Sequence, residues 1–590
     1  MKDFVKMTLA VICGLIIVSI LSSILFFGFI GATALAGKSS TELPKQGVLK
    51  IDMSKTAIDE QGAEGSPFSD LAVPAISGVS ISTPGETIGI WDAVQALNKA
   101  ATDPAVQYIY LKTDGMNIST ALLQEFRKAL SNFRTVSGKP VVAYIEAPST
   151  GSYYLASVAD KVYMTANPGA TTTVNGVSTS MMFYGDLLKK LGVNVQLIRH
   201  GKYKSAGESF TRNSSSPENR EQYQALVDAL WKSIAAEVAE SRGISVDQLN
   251  AAIDNLSLCL PQDFVDAGLV DELFTRSQLN DKLASLAGVE DVEDVKAFTL
   301  SDYISAKKSI SKAKQKIAVI YLNGEIIDGR GNSDVAGDRF ASIISKVRAD
   351  STVKAVVMRV NSPGGSVLAS DKIKTELDLL KAEKPLVASY GAYAASGGYW
   401  ISANAEKIYS DATTLTGSIG VFGMVPDFSK TLKDIAHVGV ESVTSNKHGD
   451  MYSLMRPFDQ AEHDYMLRSI EDIYDRFTGL VAEGRGLDKT FVDEVGQGRV
   501  WAGSDALTIH LVDEIGTLED AVKYAANLAG DPDLAAWNIK GYPREKSQMD
   551  AILEMFNGGS QDKVSAAVKN LSDIDKLTIM ARMPYDLDIK

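Results

Sequence analysis

The sequence predicts an α/β protein: two tandem parallel-sheet domains behind an N-terminal transmembrane helix. Three features predict it: an uncharged apolar run at the start, short apolar strands alternating with helical stretches, and a long internal repetition.

The apolar run comes first. No charged side chain lies between Lys6 and Lys38, and roughly 20 apolar residues at 1.5 Å rise suffice to cross a bilayer. Lys2 and Lys6 precede the run, so the positive-inside rule keeps the amino terminus cytoplasmic and sends the remainder across. Ala34-Leu35-Ala36 resembles a small-residue cleavage site, but the run exceeds the roughly 7–15 apolar residues of a cleaved signal. Residues 1–37 are read as a cytoplasmic stub and signal anchor, which places the rest of the chain outside the cytoplasm. Residues 38–85 combine a strand-like GVLKIDM with Gly-, Ser- and Pro-rich turns and read as a stalk with a lead-in strand.

The repetition follows. GIWDAVQALNKAATDPAVQYIYLKTDG and KPVVAYIEAPSTGSYYLASVADKVYM return later as RFASIISKVRADSTVKAVVMRVNSPGG and KPLVASYGAYAASGGYWISANAEKIYS. Each copy runs amphipathic helix, buried strand, turn, helix, Lys-Pro, strand, turn, then a helix beginning at Tyr153 or Tyr399. Farther on, LGVNVQLIRHGKYK pairs with VGVESVTSNKHGDM, and VAESRGISVDQL with VAEGRGLDKTFV. Short apolar strands alternating with helices argue parallel βα units rather than a sandwich. The domains are set at 86–312 and 315–540. Residues 541–590 have weak helical patterning and read as a partner-facing arm or a loosely ordered tail.

Composition narrows the function. A net charge of -14 argues against a nucleic-acid binder, which needs a basic face for phosphates. Cys13 falls in the predicted span, so it makes no plausible bridge with Cys259. The five histidines show no HExxH spacing and there is no CxxC pair, so neither a metal nor another cofactor is predicted.

Chemistry is sought where the copies differ, because a duplication keeps its packing residues in both. After VVMRV the second copy has Asn361-Ser362-Pro363-Gly364-Gly365, against Asp114-Gly115-Met116-Asn117-Ile118 in the first. Paired glycines let a backbone approach a ligand closely, although Pro-Gly-Gly also makes a plain tight turn. The next turn, Ala394-Ala395-Ser396-Gly397-Gly398-Tyr399, sets a serine at a helix start among small residues. An exposed Ser396 hydroxyl beside amide donors is one reading; a helix-capping serine is the bland one. Together the two turns describe a nucleophile facing an oxyanion hole, with the Gly365 and Gly397 amides as donors.

Such a serine needs a base, and no histidine lies in an obvious partner position. A lysine serves if burial disfavours its ammonium. The strand VQLIRHGKYK of the first copy ends in Lys204, with Lys202 a competitor. Aligning the copies sets Thr150 opposite Ser396 and Met451 opposite Lys204. One copy has the lysine and the other the serine, which suggests a single composite site. In TLTGSIG, Ser418 offers a hydroxyl to orient the amine.

RVNSPGGSV, ASYGAYAASGGYWIS and TGSIGVFG, with GKYKSAGE upstream, together resemble the long, duplicated form of the signal peptide peptidase A (protease IV) family. The resemblance covers nearly the whole chain. It implies a ClpP/crotonase-like fold in each domain, a Ser/Lys serine endopeptidase, and degradation of signal peptides released after preprotein processing. The family's nucleophile falls on Ser396, its base on Lys204, its lysine-orienting serine on Ser418, and its oxyanion glycines on Gly365 and Gly397. A homotetrameric bowl on the inner membrane, with periplasmic active sites, is implied too. The sequence departs at His510, where members commonly have glycine. Two other readings stand beside it: a crotonase-like acyl-CoA enzyme, and an inactive scaffold of the same fold at the membrane.

Overall fold

The computed structural model describes residues 43–62, 86–308, 311–331, 334–544 and 580–583. The predicted anchor at 1–37 lies outside them. Among the described residues no helix is long and apolar enough to cross a membrane.

The strands are mostly apolar on both faces, which suits sheets covered on both sides. In Val353–Ser362, eight of ten positions are buried. A first sheet runs Glu272–Phe274, Lys161–Thr165, Val141–Ile145, Val106–Lys112, Gly47–Asp52, Ala297–Thr299, and all its pairs are parallel. The second copy repeats this order with Glu514–Ile515, Lys407–Ser410, Leu386–Ala395, Val353–Ser362, Lys316–Asn323 and Asn538–Tyr542. GVLKIDM, read as part of the stalk, is therefore an interior strand of the first sheet. Both copies also repeat one tertiary hydrogen bond: Tyr153 donates to the Leu269 carbonyl, and Tyr399 to that of Leu511.

The copies share a core. Helices Ile90–Thr102, Thr120–Ser137 and Leu518–Leu528 bring Leu49, Ile109 and Leu111 of one sheet into a cluster with Ile317, Val319 and Val357 of the other. Period-2 alternation sends Ala318, Ile320 and Met358 to the opposite face, against Phe340, Ile373, Trp400 and Phe477. Within the shared region Arg359 is fully buried and pairs with Glu60, at 2.6 Å, and with Glu125. That cluster, which includes Asp411 electrostatically, ties the second sheet to two segments of the first copy.

The equivalent strands Val141–Ile145 and Leu386–Ala395 differ in length. The first stops before Pro148, which cannot donate to a ladder. The second continues past Lys407–Ser410, pairs with Leu415–Gly417, and ends immediately before Ser396. Its extra turn of sheet carries the serine forward.

Candidate active site

A third, composite sheet brings in the lysine. Asn194–His200 of the first copy pairs antiparallel with Val421–Asp427 of the second along its whole length, from Val421 opposite His200 to Asp427 opposite Asn194. The strand ends at His200 rather than at Lys204, because Gly201 turns the chain at φ 98° against Gln497. The Tyr203 amide then donates to the Gln497 carbonyl at 2.9 Å, and Arg199 Nη1 donates to the Lys204 carbonyl at 2.6 Å. Both bonds fix the lysine backbone. Lys202, the competitor, instead lies with its Nζ 5.0 Å from the Tyr203 ring centroid.

The serine arrives from the other side. Ala395 pairs with Gly417, so the residues after them, Ser396 and Ser418, come side by side. Ser396 N donates to Gly417 O at 2.8 Å, and Ser418 N to Arg499 O at 2.7 Å. Both serines hold positive φ, 56° and 49°, a conformation that costs a non-glycine residue of order 1 kcal/mol or more. Ser396 begins the helix Gly397–Ser402 but makes no capping bond with its side chain. In the first copy, by contrast, Ser149 caps Thr150–Ala156 in an ordinary capping box. Capping therefore does not explain Ser396.

Its hydroxyl goes to the lysine instead. Lys204 Nζ lies 2.8 Å from Ser396 Oγ, 3.0 Å from Ser418 Oγ and 3.1 Å from Ser418 O. Lys204, Ser396 and Ser418 are each 0% exposed. Burial pushes the lysine pKa well below its ordinary value, and no carboxylate offsets that push. A neutral amine has two N–H donors and one lone pair. Donating to Ser418 O and Ser418 Oγ uses both hydrogens and leaves the lone pair for the Ser396 proton. The Ser418 hydroxyl has its own acceptor in Gly498 O, at 3.4 Å.

Full burial of Ser396 corrects the expectation of an exposed hydroxyl. The Lys204 turn lies on one side of it, and Met583 packs in the apolar cluster that holds its neighbour Ala395.

The glycine turns adjoin as expected. Gly364 and Gly365 have φ of 99° and 153°, and a Cβ on Gly365 would stand 2.0 Å from the Ile326 carbonyl oxygen. A Cβ on Gly398 would stand 2.7 Å from Ser362 O, so the Pro-Gly-Gly turn is pressed against the start of the serine helix. Gly397 is the first residue of that helix, where an N–H has no intrahelical acceptor. All five residues selected from the sequence thus belong to one region of the fold.

Sequence reasoning missed Gly498, whose backbone packs on Lys204, and the strand Met580–Arg582, which pairs with Gly364–Ser366. The glycine had a signal: GQGRV is a turn of the type that brings backbones together. The strand had none, because MAR carries no alternation or apolar run.

Known proteins resemble the chain along most of its length. The model of "Peptidase family S49" matches residues 134–290 and 378–530, one stretch in each copy. "Protease 4" of Haemophilus influenzae is 35% identical over 557 residues, which is 92% of this chain and 86% of that one. "Serine protease SPPA, chloroplastic" of Arabidopsis thaliana is 30% identical over 83% of this chain and 72% of its own. "Putative signal peptide peptidase SppA" of Enterococcus faecium is 35% identical over 36% of this chain and 62% of its own.

Proposed function

Because the chain belongs to peptidase family S49, and is accordingly a serine protease acting on peptides, we propose that Ser396 is its nucleophile and Lys204 its general base. One observation carries this reading: a buried lysine with no carboxylate partner has its Nζ 2.8 Å from a serine hydroxyl that caps nothing.

The chemistry follows from the donor count. The Lys204 lone pair takes the Ser396 proton as Oγ attacks the substrate carbonyl carbon. Gly365 and Gly397 amides are the donors for the resulting oxyanion. Lys204, now an ammonium, gives its proton to the leaving amine nitrogen as the C–N bond breaks. Water then adds to the acyl-enzyme, giving one proton to Lys204, and collapse returns that proton to Ser396 and releases the acid. Ser418 holds the amine in line throughout, through its carbonyl and hydroxyl.

The finer reading is that the enzyme is anchored in the inner membrane by residues 1–37, faces the periplasm, and degrades released signal peptides. The uncharged run after Lys6 supports the anchor, and the name of the Enterococcus faecium relative supports the substrate class. A homotetramer follows from the same family resemblance, and the two lobes keep the ClpP/crotonase-like character it implies.

The test is labelling of the detergent-solubilised chain with a fluorophosphonate and mapping of the modified residue. Labelling at Ser396 is expected, abolished in Ser396→Ala and slowed about 10³-fold or more in Lys204→Ala. A label on any other serine would displace the assignment.

A further inference from the structure

The turns that carry Lys204 and Ser418 come from different copies, and one side chain reaches from one to the other. Arg499 follows Gly498 and precedes the strand Val500–Ala502. Its carbonyl accepts the Ser418 amide at 2.7 Å. The strand after it pairs antiparallel with Leu415–Gly417, Val500 opposite Gly417 and Trp501 opposite Thr416. A Cβ on Gly417 would stand 2.9 Å from Trp501 Cδ1 and 3.2 Å from Arg499 O. The backbone of Arg499 therefore belongs with the Ser418 turn.

Its side chain goes to the other copy. The guanidinium carbon lies 4.8 Å from the Tyr203 ring centroid and 4.4 Å from that of Trp501, within cation–π range of each ring. Arg499 Nη1 donates to Tyr203 Oη at 3.2 Å and to Glu221 Oε1 at 3.0 Å. Tyr203 Oη donates to the same carboxylate oxygen at 3.1 Å. Tyr203 is 6% exposed and is the residue before Lys204. The indole is fixed in turn, since Trp501 Nε1 donates to Val495 O at 2.9 Å. Gln222 accepts the Val500 amide at 2.7 Å, so the helix Pro217–Arg242 backs both sides of the contact.

The copies differ here as they do at Ser396 and Lys204. Aligned on Leu269-Val270-Asp271-Glu272 and Leu511-Val512-Asp513-Glu514, the first copy has Ser257 opposite Arg499 and Cys259 opposite Trp501. The alignment that sets Met451 opposite Lys204 sets Asp450 opposite Tyr203. At these positions neither copy has all three members of the stack. The ion pair is the lesser part of it, because Glu221 is 56% exposed and such pairs contribute little. A flat guanidinium against two rings is the part that a lysine could not supply. Nor does the charge of Arg499 act on the amine, since burial is what lowers the Lys204 pKa.

We propose that Arg499 is a positioning residue for the composite site, a stacked clamp that holds the Lys204 turn of one copy in line with the Ser418 turn of the other. The inference deepens the peptidase reading and rests on the Ser396 and Lys204 assignment for what that alignment does.

The experiment uses the detergent-solubilised full chain as Arg499→Met, Arg499→Lys, Tyr203→Leu, and Arg499→Met combined with Tyr203→Leu. A chromogenic peptide gives kcat, KM and the pH profile of kcat/KM, and thermal unfolding followed by circular dichroism checks the fold. Arg499→Met and Tyr203→Leu are each expected to lower kcat about tenfold, with KM changed less than about twofold. Each is also expected to move the inflection to higher pH, because a loosened turn lets water reach the amine and favours its charged form. Arg499→Lys is expected to behave as Arg499→Met does. The combined variant is expected to lose no more than about twofold beyond the worse single one, since both changes break the same contact. Losses that multiply in the combined variant, a lower kcat with an unmoved inflection, or full recovery by lysine overturns the clamp. Should Arg499→Met fail to fold, Tyr203→Leu gives the same readings from the other side of the contact.

Fluorophosphonate labelling separates this inference from the one beneath it. Ser396 labelled as fast in Arg499→Met as in the unaltered chain brings down the clamp alone. A label on another serine of the unaltered chain brings down the nucleophile assignment, and the clamp with it.

Discussion

Gly498 and Lys204 are in backbone contact: a Cβ on the glycine would stand 2.5 Å from the lysine Cβ and 2.6 Å from its amide nitrogen. The glycine also holds φ 79° and donates its N–H to Ile419 O. The Lys204 and Ser418 turns are thus locked together through one residue that tolerates no side chain. Gly498→Ala is expected to push Lys204 out of line and lower kcat about 10²-fold, with KM little changed, in a chain that still folds. Steady-state kinetics on a chromogenic peptide, with far-ultraviolet circular dichroism as the folding check, tests this. An unchanged kcat would show that the contact does not position the base.

Activity should rise with pH through a single inflection lying well below the ordinary lysine range. Burial lowers the Lys204 pKa, the protonated amine has no lone pair, and only the neutral form accepts the Ser396 proton. The stability sign is opposite to that of a helpful ion pair. A group depressed by burial contributes fully above its unfolded value and loses that contribution as pH falls through its folded value. The enzyme is therefore less stable at neutral pH than it would be with this lysine unburied. The pH dependence of kcat/KM measures the inflection, and a profile falling with pH over the same range would exclude a lysine base.

Ser418→Ala should separate orientation from acidity. The lost Oγ is an acceptor at 3.0 Å, and acceptors favour the ammonium over the amine, so its removal should move the inflection to lower pH. The plateau should fall about tenfold, because the amine loses one of two bonds that aim its lone pair. A plateau loss without a shift would assign Ser418 a purely steric part.

Gly365→Ala is expected to lose at least about 10²-fold in kcat. The new methyl would meet the Ile326 carbonyl oxygen at 2.0 Å, at a φ of 153° that side chains rarely adopt, so the amide proposed as oxyanion donor must move. Ser396 labelling by a small fluorophosphonate should slow in parallel. Full activity would place the oxyanion elsewhere.

Arg359→Met should cost about 3–5 kcal/mol, since it leaves Glu60 and Glu125 buried without their counter-charge. Burial raises the pKa of Glu60 and holds Asp411 well above the usual carboxylate range. Raised carboxyls contribute stability below their unfolded values and lose it as pH rises through the folded ones. The deficit of the variant should accordingly be smaller at acid pH than at neutral pH. Denaturant titrations at pH 5 and pH 8 check this; equal deficits would mean that the carboxylates find other partners.

The duplication was legible because each copy repeats packing residues that both lobes need. Tyr153 and Tyr399 aligned by sequence and make the same bond to a leucine carbonyl. Ser396 stood out because a strand, a serine and two glycines follow one another directly, and Lys204 because the copies differ there. The Arg359 cluster was not legible. Its acids lie on Glu60 and Glu125, far apart in the chain, and a charge buried by tertiary contact looks in sequence like any charge on a surface.

By itself, then, the sequence determined the duplicated α/β plan, the alternation of strands and helices within each copy and the five residues worth testing, because local patterning and repetition record packing that each copy makes within itself. Tertiary structure alone decided that Asn194–His200 crosses to Val421–Asp427, that Ser396 is buried, and that Met580–Arg582 pairs with Gly364–Ser366. Those pairings are made through backbone N–H and C=O groups, which every residue but proline carries alike, so side-chain pattern does not say which edge a strand will meet.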